Sequence, residues 1–200
     1  MGKTLDFIFD FASPNAWLAY RALPPILGRT GASLNSIPCL LGGIFKLTGN
    51  QAPFTAFANV KGKNAYDMLE MRRFVEKHRL TKFRLNPHFP MNTLMLMRGL
   101  VAAQELGVTS AYLEAGLVAM WEDGLKMDDP AVIGEVVASA GLDGERLFAL
   151  AQDQRIKDRL AANTQRAVDR GAFGIPTFFV GDEMFFGKER LGQIEDMLTA

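Results

Sequence analysis

Residues 13–16 read Ser-Pro-Asn-Ala, directly behind an aromatic, alternating segment. Serine is a favoured helix N-cap. Proline is favoured at the first helical position, because its missing N–H would have no helical partner there. Ser13 therefore stands where unpaired backbone N–H groups and the positive end of a helix dipole converge, a place that stabilises a thiolate. A hydroxyl in that position caps its own helix, as any Ser-Pro start does, or donates to an anion held in front of it. Other chemically able groups are few. Cys39 is the only cysteine, so the chain has no internal disulfide and no Cys-x-x-Cys pair. It lies in the apolar run Ile37-Pro38-Cys39-Leu40-Leu41 and is expected to be a buried structural thiol. His78 and His88 have no cysteine partners and no helix-facing spacing, so no metal site is expected. Gly-x-x-x-x-Gly-Lys-Ser/Thr and Gly-x-Gly-x-x-Gly are both absent, which removes the commonest nucleotide-based functions.

The elements that would position Ser13 follow from periodicity. Leu5, Phe7, Phe9 and Phe11 alternate with Asp6, Ile8 and Asp10, which predicts a strand over 4–11. A helix follows from Pro14, kinked or ended by Pro24-Pro25. Residues 33–40 read as a second strand. Residues 64–79, 91–107, 109–126, 130–140 and 144–172 favour helix, with Leu94, Met97, Leu100, Val101 and Gln104 on one face of the second segment. Asp143 is the expected N-cap of the last, whose apolar stripe is Leu147, Phe148, Ala151 and Leu160. Ile175 to Val180 and Met184 to Phe186 flank Gly181-Asp182-Glu183 as a β-hairpin, and Arg190 to Thr199 close the chain as a helix.

The chain has 200 residues, 48% of them hydrophobic, enough for a substantial core without staples. Its 22 basic and 22 acidic residues balance, so charge gives no reason to expect nucleic acid or an anionic membrane as partner. The N-terminus reads as a strand, not a signal core, and no segment has the length of apolar sequence a membrane span needs. The expectation is a cytoplasmic protein with no membrane partner.

The order strand, helix, strand, helical block, strand, strand, helix, with Ile175-Pro176-Thr177 before the third strand, matches the thioredoxin fold. In that fold the proline before the third strand is cis and its loop faces the first helix. A cis Pro176 is therefore expected. Where thioredoxin-type enzymes carry Cys-x-x-Cys, this chain has Ser13-Pro14-Asn15-Ala16, so dithiol chemistry is excluded. The expected fold class is α/β, a thioredoxin-like domain with a large all-helical insertion. Residues 1–42 and 171–200 would form the discontinuous thioredoxin-like domain and 43–170 the insertion.

The sequence resembles the 2-hydroxychromene-2-carboxylate isomerases and kappa-class glutathione transferases, relatives of DsbA, over essentially its whole length. The blocks that carry the resemblance are Asp10 to Ala19, Leu41 to Lys46, Gly49-Asn50, Lys61-Gly62, Phe89 to Leu94, Gly171 to Thr177 and Phe186 to Leu191. It implies glutathione as cofactor, a small aromatic or electrophilic second substrate, and a homodimer. By the resemblance Ser13, at the Pro14-Asn15 turn, would hydrogen-bond the glutathione sulfur and favour its thiolate. Ile175, before Pro176, would offer its backbone to the cysteinyl unit. Asn50 and Lys61 would hold the tripeptide from the insertion side, with Lys63 a competitor for Lys61. Lys188-Glu189 would bind the γ-glutamyl end, Glu189 answering its ammonium group. Two residues depart from the family pattern: Lys188-Glu189 stands where Asn-Asp or Ser-Asp is usual, and Asn15 where an aromatic often follows Ser-Pro.

The implied reaction is glutathione-dependent isomerisation of 2-hydroxychromene-2-carboxylate to trans-o-hydroxybenzylidenepyruvate, in aromatic catabolism. The alternatives are a glutathione transferase and, from another class, a non-catalytic thioredoxin-like binding module. Met91, Met95, Met97, Trp17 and Trp121 are expected to be core, and His88 a surface or structural histidine.

Overall fold

The computed structural model describes residues 2–200. Strand β1 (Thr4–Phe9) leads through residues 10–13 into helix α1 (Pro14–Ala22). Ser13 caps α1, accepting the Ala16 N–H. Pro24 ends this helix and begins the short α2 (Pro24–Thr30), which closes on Gly31 at φ 65° before β2 (Ser33–Pro38). Helices α3 (Leu41–Thr48), α4 (Pro53–Ala56), α5 (Lys63–His78), α6 (Leu94–Glu105), α7 (Thr109–Trp121), α8 (Pro130–Ser139), α9 (Gly144–Gln152) and α10 (Gln154–Asp169) follow. The chain then returns to the sheet as β3 (Thr177–Val180) and β4 (Glu183–Phe186), makes a 3-10 turn at Lys188–Arg190, and ends in α11 (Leu191–Thr199).

The sheet order is β2-β1-β3-β4. β1 runs parallel to β2, with Leu5 opposite Leu34, and antiparallel to β3, with Phe7 opposite Phe178. This is the α/β, thioredoxin-like architecture expected from the element order. Helix was expected unbroken over 144–172, and the structure divides it. Asp153 adopts extended backbone and its carboxylate caps the second piece at Arg155, so α9 and α10 are separate helices. Gly171, at φ 100°, keeps the following residues out of helix. The helix predicted over 109–126 stops at Trp121, where Leu125 turns back to bond the Ala119 carbonyl.

Leu5, Phe7 and Phe9 alternate with Asp6, Ile8 and Asp10, yet Ile8 is as buried as its neighbours and Asp10 is fully enclosed. The reason is position. β1 lies inside the sheet, where both faces are covered, and such strands lose their alternation. Phe7 stacks on Phe178 at 4.9 Å, and Phe9 meets Phe11 edge to face at 5.0 Å. One apolar cluster runs from these rings through Trp17 and Trp121 to Leu96, Met97 and Leu100 of α6. Each large side chain enclosed in this way contributes roughly 1.5–3 kcal/mol. Met97, Trp17 and Trp121 are core, as expected, while Met91 and Met95 pack at its edge.

Two glycines set how closely helices approach. A Cβ on Gly116 of α7 would stand 2.6 Å from the Phe11 ring, and one on Gly99 of α6 only 2.0 Å from the Tyr112 hydroxyl. Gly28 in α2 has open space around it. Gly116→Ala should therefore lower the unfolding free energy by about 1–3 kcal/mol through overpacking. Gly28→Ala should raise it by up to about 1 kcal/mol through helix propensity. Urea denaturation midpoints of the two variants should move in opposite directions.

Candidate functional site

Ser13 is buried, with 3% of its surface exposed. Its hydroxyl donates to the Ile175 carbonyl at 2.9 Å and accepts the Ala16 N–H at 3.2 Å. The Ile175–Pro176 peptide is cis, as expected, and so is Phe89–Pro90, which nothing in the sequence had indicated. The loop 173–177 gathers much of the predicted set. Asn50 Nδ2 donates to the Phe173 carbonyl at 2.7 Å. The Gly187 N–H donates to the Pro176 carbonyl at 3.0 Å, which holds the Lys188-Glu189 turn against the loop. Thr177 Oγ1 closes the loop on itself by donating to the Gly174 carbonyl at 2.8 Å. Ser13, Asn50, Ile175, Pro176 and the 188–189 turn are thus linked through one short segment.

Lys61 is not drawn into this junction. It lies exposed in the turn before α5 and makes no hydrogen bond or ion pair among the described residues. Lys63, its competitor, pairs with Asp67 one helical turn on, and its ammonium sits 5.1 Å from the Phe57 ring centre. Lys188 is buried, a rare state for lysine. Its ammonium pairs with the half-exposed Glu189 carboxylate and lies 5.4 Å from the Phe74 ring centre. In this state Glu189 is already answered by its neighbour. Asn15 follows Pro14 in the first turn of α1, and its Oδ1 is buried without a hydrogen-bond partner. A buried acceptor left unpaired carries a cost of about 1–3 kcal/mol, so it is a ready point for a polar ligand group.

Behind Ser13 in the same loop lies Asp10, which opens the first block of the resemblance but receives no role from it. Asp10 is fully buried. Its Oδ1 accepts the Ala12 N–H at 2.9 Å and the Thr93 hydroxyl at 2.6 Å, and its Oδ2 accepts the Leu41 N–H at 2.7 Å. Its own carbonyl accepts the Ser13 N–H at 3.2 Å. One carboxylate therefore ties the β1–α1 loop to the starts of α3 and α6. The sequence signal was available: an aspartate ending an aromatic strand, three residues before the capping serine. Period-two alternation placed it opposite Phe9 and Phe11 and carried no sign of its burial. Trp121 completes the floor, its indole N–H donating to the Phe11 carbonyl at 2.9 Å.

Cys39 is fully buried, as expected. Burial, and then the nearby Asp10 charge, push its thiol up to about 12. His88 is exposed and its backbone N–H caps onto Asn86 Oδ1. Among the described residues no group of His, Cys, Asp and Glu could hold a metal ion. No helix of the described chain is long and apolar enough to cross a membrane.

Residues 4–199 match the family model of the DSBA-like thioredoxin domain. The chain belongs to that family. This DSBA-like chain is 28% identical over 194 residues to a 2-hydroxychromene-2-carboxylate isomerase of Pseudomonas sp., covering 96% of this chain and 88% of the relative. It is 26% identical over 202 residues to glutathione S-transferase kappa 1 of Rattus norvegicus, covering 94% and 88%. The solved structure of a 2-hydroxychromene-2-carboxylate isomerase superposes with a TM-score of 0.82 at 25% identity, covering 98% of this chain and 94% of that one. A probable DsbA oxidoreductase from Streptomyces coelicolor shares the fold, with a TM-score of 0.80 at 20% identity over 98% and 88% of the two chains. The relatives named as isomerase and transferase align over nearly their full length, which supports an enzyme.

The Asp10 junction generates a test. Asp10→Ala strands three donors, each costing about 1–3 kcal/mol when buried and unpaired. Partial relaxation should leave a loss of about 2–4 kcal/mol in urea unfolding. Burial raises the Asp10 carboxyl above its ordinary 3.8, while the Ala12, Leu41 and Thr93 donors oppose the shift. A carboxyl raised on folding binds its proton more tightly in the native state. Its contribution to stability is then full below the ordinary value and is lost as pH rises through the raised one. Unfolding free energy across that window should fall more steeply with pH in the wild type than in Asp10→Asn.

Proposed function

We propose that this chain is a glutathione-dependent isomerase of the 2-hydroxychromene-2-carboxylate type, converting that substrate to trans-o-hydroxybenzylidenepyruvate. The observation that carries the reading is the Ser13 hydroxyl. It sits at a helix N-terminus against the cis-proline loop, where relatives of DsbA place a cysteine, in a chain whose only sulfhydryl is buried elsewhere. A site of that geometry without its own sulfur suits a thiol brought from outside. The 28% identity to an enzyme named for this reaction supports the same substrate.

The residues present fit glutathione. Asn15 offers an unpaired buried acceptor beside the capping serine. The first-turn N–H groups of α1 and its dipole favour an anionic sulfur. Ser13 holds the decisive proton. In this structure that proton points at the Ile175 carbonyl. Turning the hydroxyl about its Cβ–Oγ bond leaves the Ala16 cap in place, directs the same proton to a sulfur in front of the helix and frees the Ile175 carbonyl for a bound peptide N–H. One rotation thus exchanges an internal hydrogen bond for two contacts with the ligand. Asn50 and the Lys188-Glu189 turn flank the loop for the two ends of the tripeptide, and Lys61 is the remaining cation for its glycyl carboxylate. For Glu189 to meet the γ-glutamyl ammonium, its pairing with Lys188 has to open, which leaves Lys188 free for the neighbouring carboxylate.

Bound glutathione would supply a thiolate that adds reversibly to an activated ring carbon, allowing ring opening, rotation and release of the thiol without net redox change. An exposed aromatic surface on the helical block is available to an aromatic substrate. Phe54 is 44% exposed and lies 5.6 Å from Phe89, which in turn lies 5.9 Å from Trp121. The exposed apolar Val60, Tyr66 and Met68 support the homodimer that the resemblance implies. The balanced charge supports an enzyme without nucleic-acid or anionic-membrane partners, and a cytoplasmic place belongs to the same proposal. A kappa-type transferase is the second reading, favoured by the 26% identity to such an enzyme. The two differ in whether glutathione is consumed.

Ser13→Ala should lower turnover of 2-hydroxychromene-2-carboxylate by about 10- to 100-fold, the worth of a hydrogen bond to a charged group. The capping loss should cost about 1 kcal/mol of stability. The assay runs with and without glutathione and measures its concentration at the end. Unchanged turnover in the variant would sink the role of Ser13. Stoichiometric loss of glutathione would favour the transferase.

A further inference from the structure

A second groove lies away from Ser13, between α10 and the outer edge of β2. It has a volume of about 290 Å³ and is lined by Ser36, Arg159, Asn163, Arg166 and Arg170 among others, with no acidic side chain. Arg159, Asn163 and Arg166 of α10, with Arg170 capping its C-terminus, stand at i, i+4, i+7 and i+11 along one helical face. Arginines at such spacing oppose one another unless something of opposite charge compensates them. Arg170 is compensated. It pairs with Asp6 at 2.9 Å, donates to the Gly181 carbonyl at 3.0 Å and stacks over Phe179 at 3.8 Å. Arg159 and Arg166 have no carboxylate within 4.0 Å among the described residues. Arg166 is nevertheless held: Asn163 Oδ1 accepts its guanidinium at 2.5 Å. Asn163 is itself buried and locked by donating to the Pro38 carbonyl at 3.1 Å.

The strand edge is prepared for an anion in the same way. Ser33 and Cys39 send their N–H groups to Lys3 and Phe9, on the β1 side. By the two-residue period of a strand, Ser36 and Pro38 face the groove. Their carbonyls, which would repel an anion, are both covered. Gln104 Nε2 donates to the Ser36 carbonyl at 3.0 Å, and Asn163 covers that of Pro38. The Ser36 N–H and hydroxyl make no hydrogen bond among the described residues. The groove therefore presents two guanidinium forks without a carboxylate partner, one backbone N–H and one hydroxyl, with the Ser36 and Pro38 carbonyls already satisfied.

We propose that this groove binds a phosphate-bearing small molecule, its phosphate held by Arg159 and Arg166 against the Ser36 edge of β2. A phosphate dianion offers enough acceptor oxygens for two guanidinium forks and a strand N–H together, whereas a single carboxylate satisfies one fork. The volume is at the small end for ligand pockets, of the order of 300 Å³, and fits a phosphomonoester head with a few further atoms. No residue assigned to the Ser13 site lines it, so this site stands or falls apart from the isomerase reading.

Isothermal titration with inorganic phosphate, and with succinate as the carboxylate control, tests the proposal at fixed ionic strength. The wild type should bind phosphate saturably at one site, more tightly than succinate. Arg159→Ala/Arg166→Ala should weaken phosphate binding by about tenfold or more, as expected for loss of charge-assisted hydrogen bonds. Both arginines are exposed, so the double variant should stay folded with the Ser13-dependent activity unchanged, its melting temperature lowered only by the buried Asn163 Oδ1 that Arg166 leaves unpaired. In amide-resolved NMR of the wild type, phosphate should shift Ser36 and Arg166 first. Absence of saturable binding, equal binding by the double variant, equal affinity for succinate, or shifts centred elsewhere would each overturn the site.

Discussion

A fully buried carboxylate has to be answered by donors, and in this fold the answer organises the site. Asp10 gains its partners from its own loop, from the start of α3 and from the start of α6. Burying that charge unpaired would cost several kcal/mol. The chain can keep it only by bringing these three segments to one point. The β1–α1 loop is thereby fixed against the helical block, and Ser13, whose N–H bonds the Asp10 carbonyl, is fixed with it. The loop cannot shift without stranding a charge.

The second junction, at residues 173–177, works through the backbone. Its carbonyls at Phe173, Ile175 and Pro176 accept from Asn50, Ser13 and Gly187. Those three donors come from α3's end, α1's start and the turn after β4. Carbonyls in a loop need partners as much as those in a sheet do. Here the partners are the residues that surround the candidate site. The Ser13–Ile175 bond belongs to both junctions, and it is the only one of the three loop bonds made by a rotatable hydroxyl. It can be exchanged for a ligand contact without moving the main chain.

Much of this was legible in the sequence, and the failures have physical causes. Ser13-Pro14, the hairpin at Gly181 and the element order were readable because capping, turn chemistry and periodicity are local. The division at Asp153 was missed because the apolar stripe continues on both sides of it, while the break depends on one residue adopting extended backbone. Helix α3 was obscured by Gly42-Gly43, which weaken helix propensity; Gly43 is tolerated since a Cβ there would come to 3.1 Å from Thr164 on α10. The burial of Asp10 could not be read from alternation, because the neighbouring strand and helices that cover it lie far along the chain. Pairing of Lys188 with Glu189 is adjacent in sequence, yet its consequence, a glutamate already answered, needed the burial that Phe74 of α5 provides.

The same architecture decides whose sulfur can react. A thiol is useful near neutral pH only where its pKa is ordinary or lowered. Cys39 is enclosed and lies close to the Asp10 charge, and both effects push its thiol up to about 12. Burial chiefly, with the carboxylate that fixes Ser13 adding to it, thus holds the chain's only thiol in its protonated form. The N-terminus of α1, by contrast, favours an anion but carries no sulfur of its own, only a hydroxyl that can donate to one. On the proposed reading the reactive sulfur arrives with a ligand, at a place apart from the cysteine the chain contains.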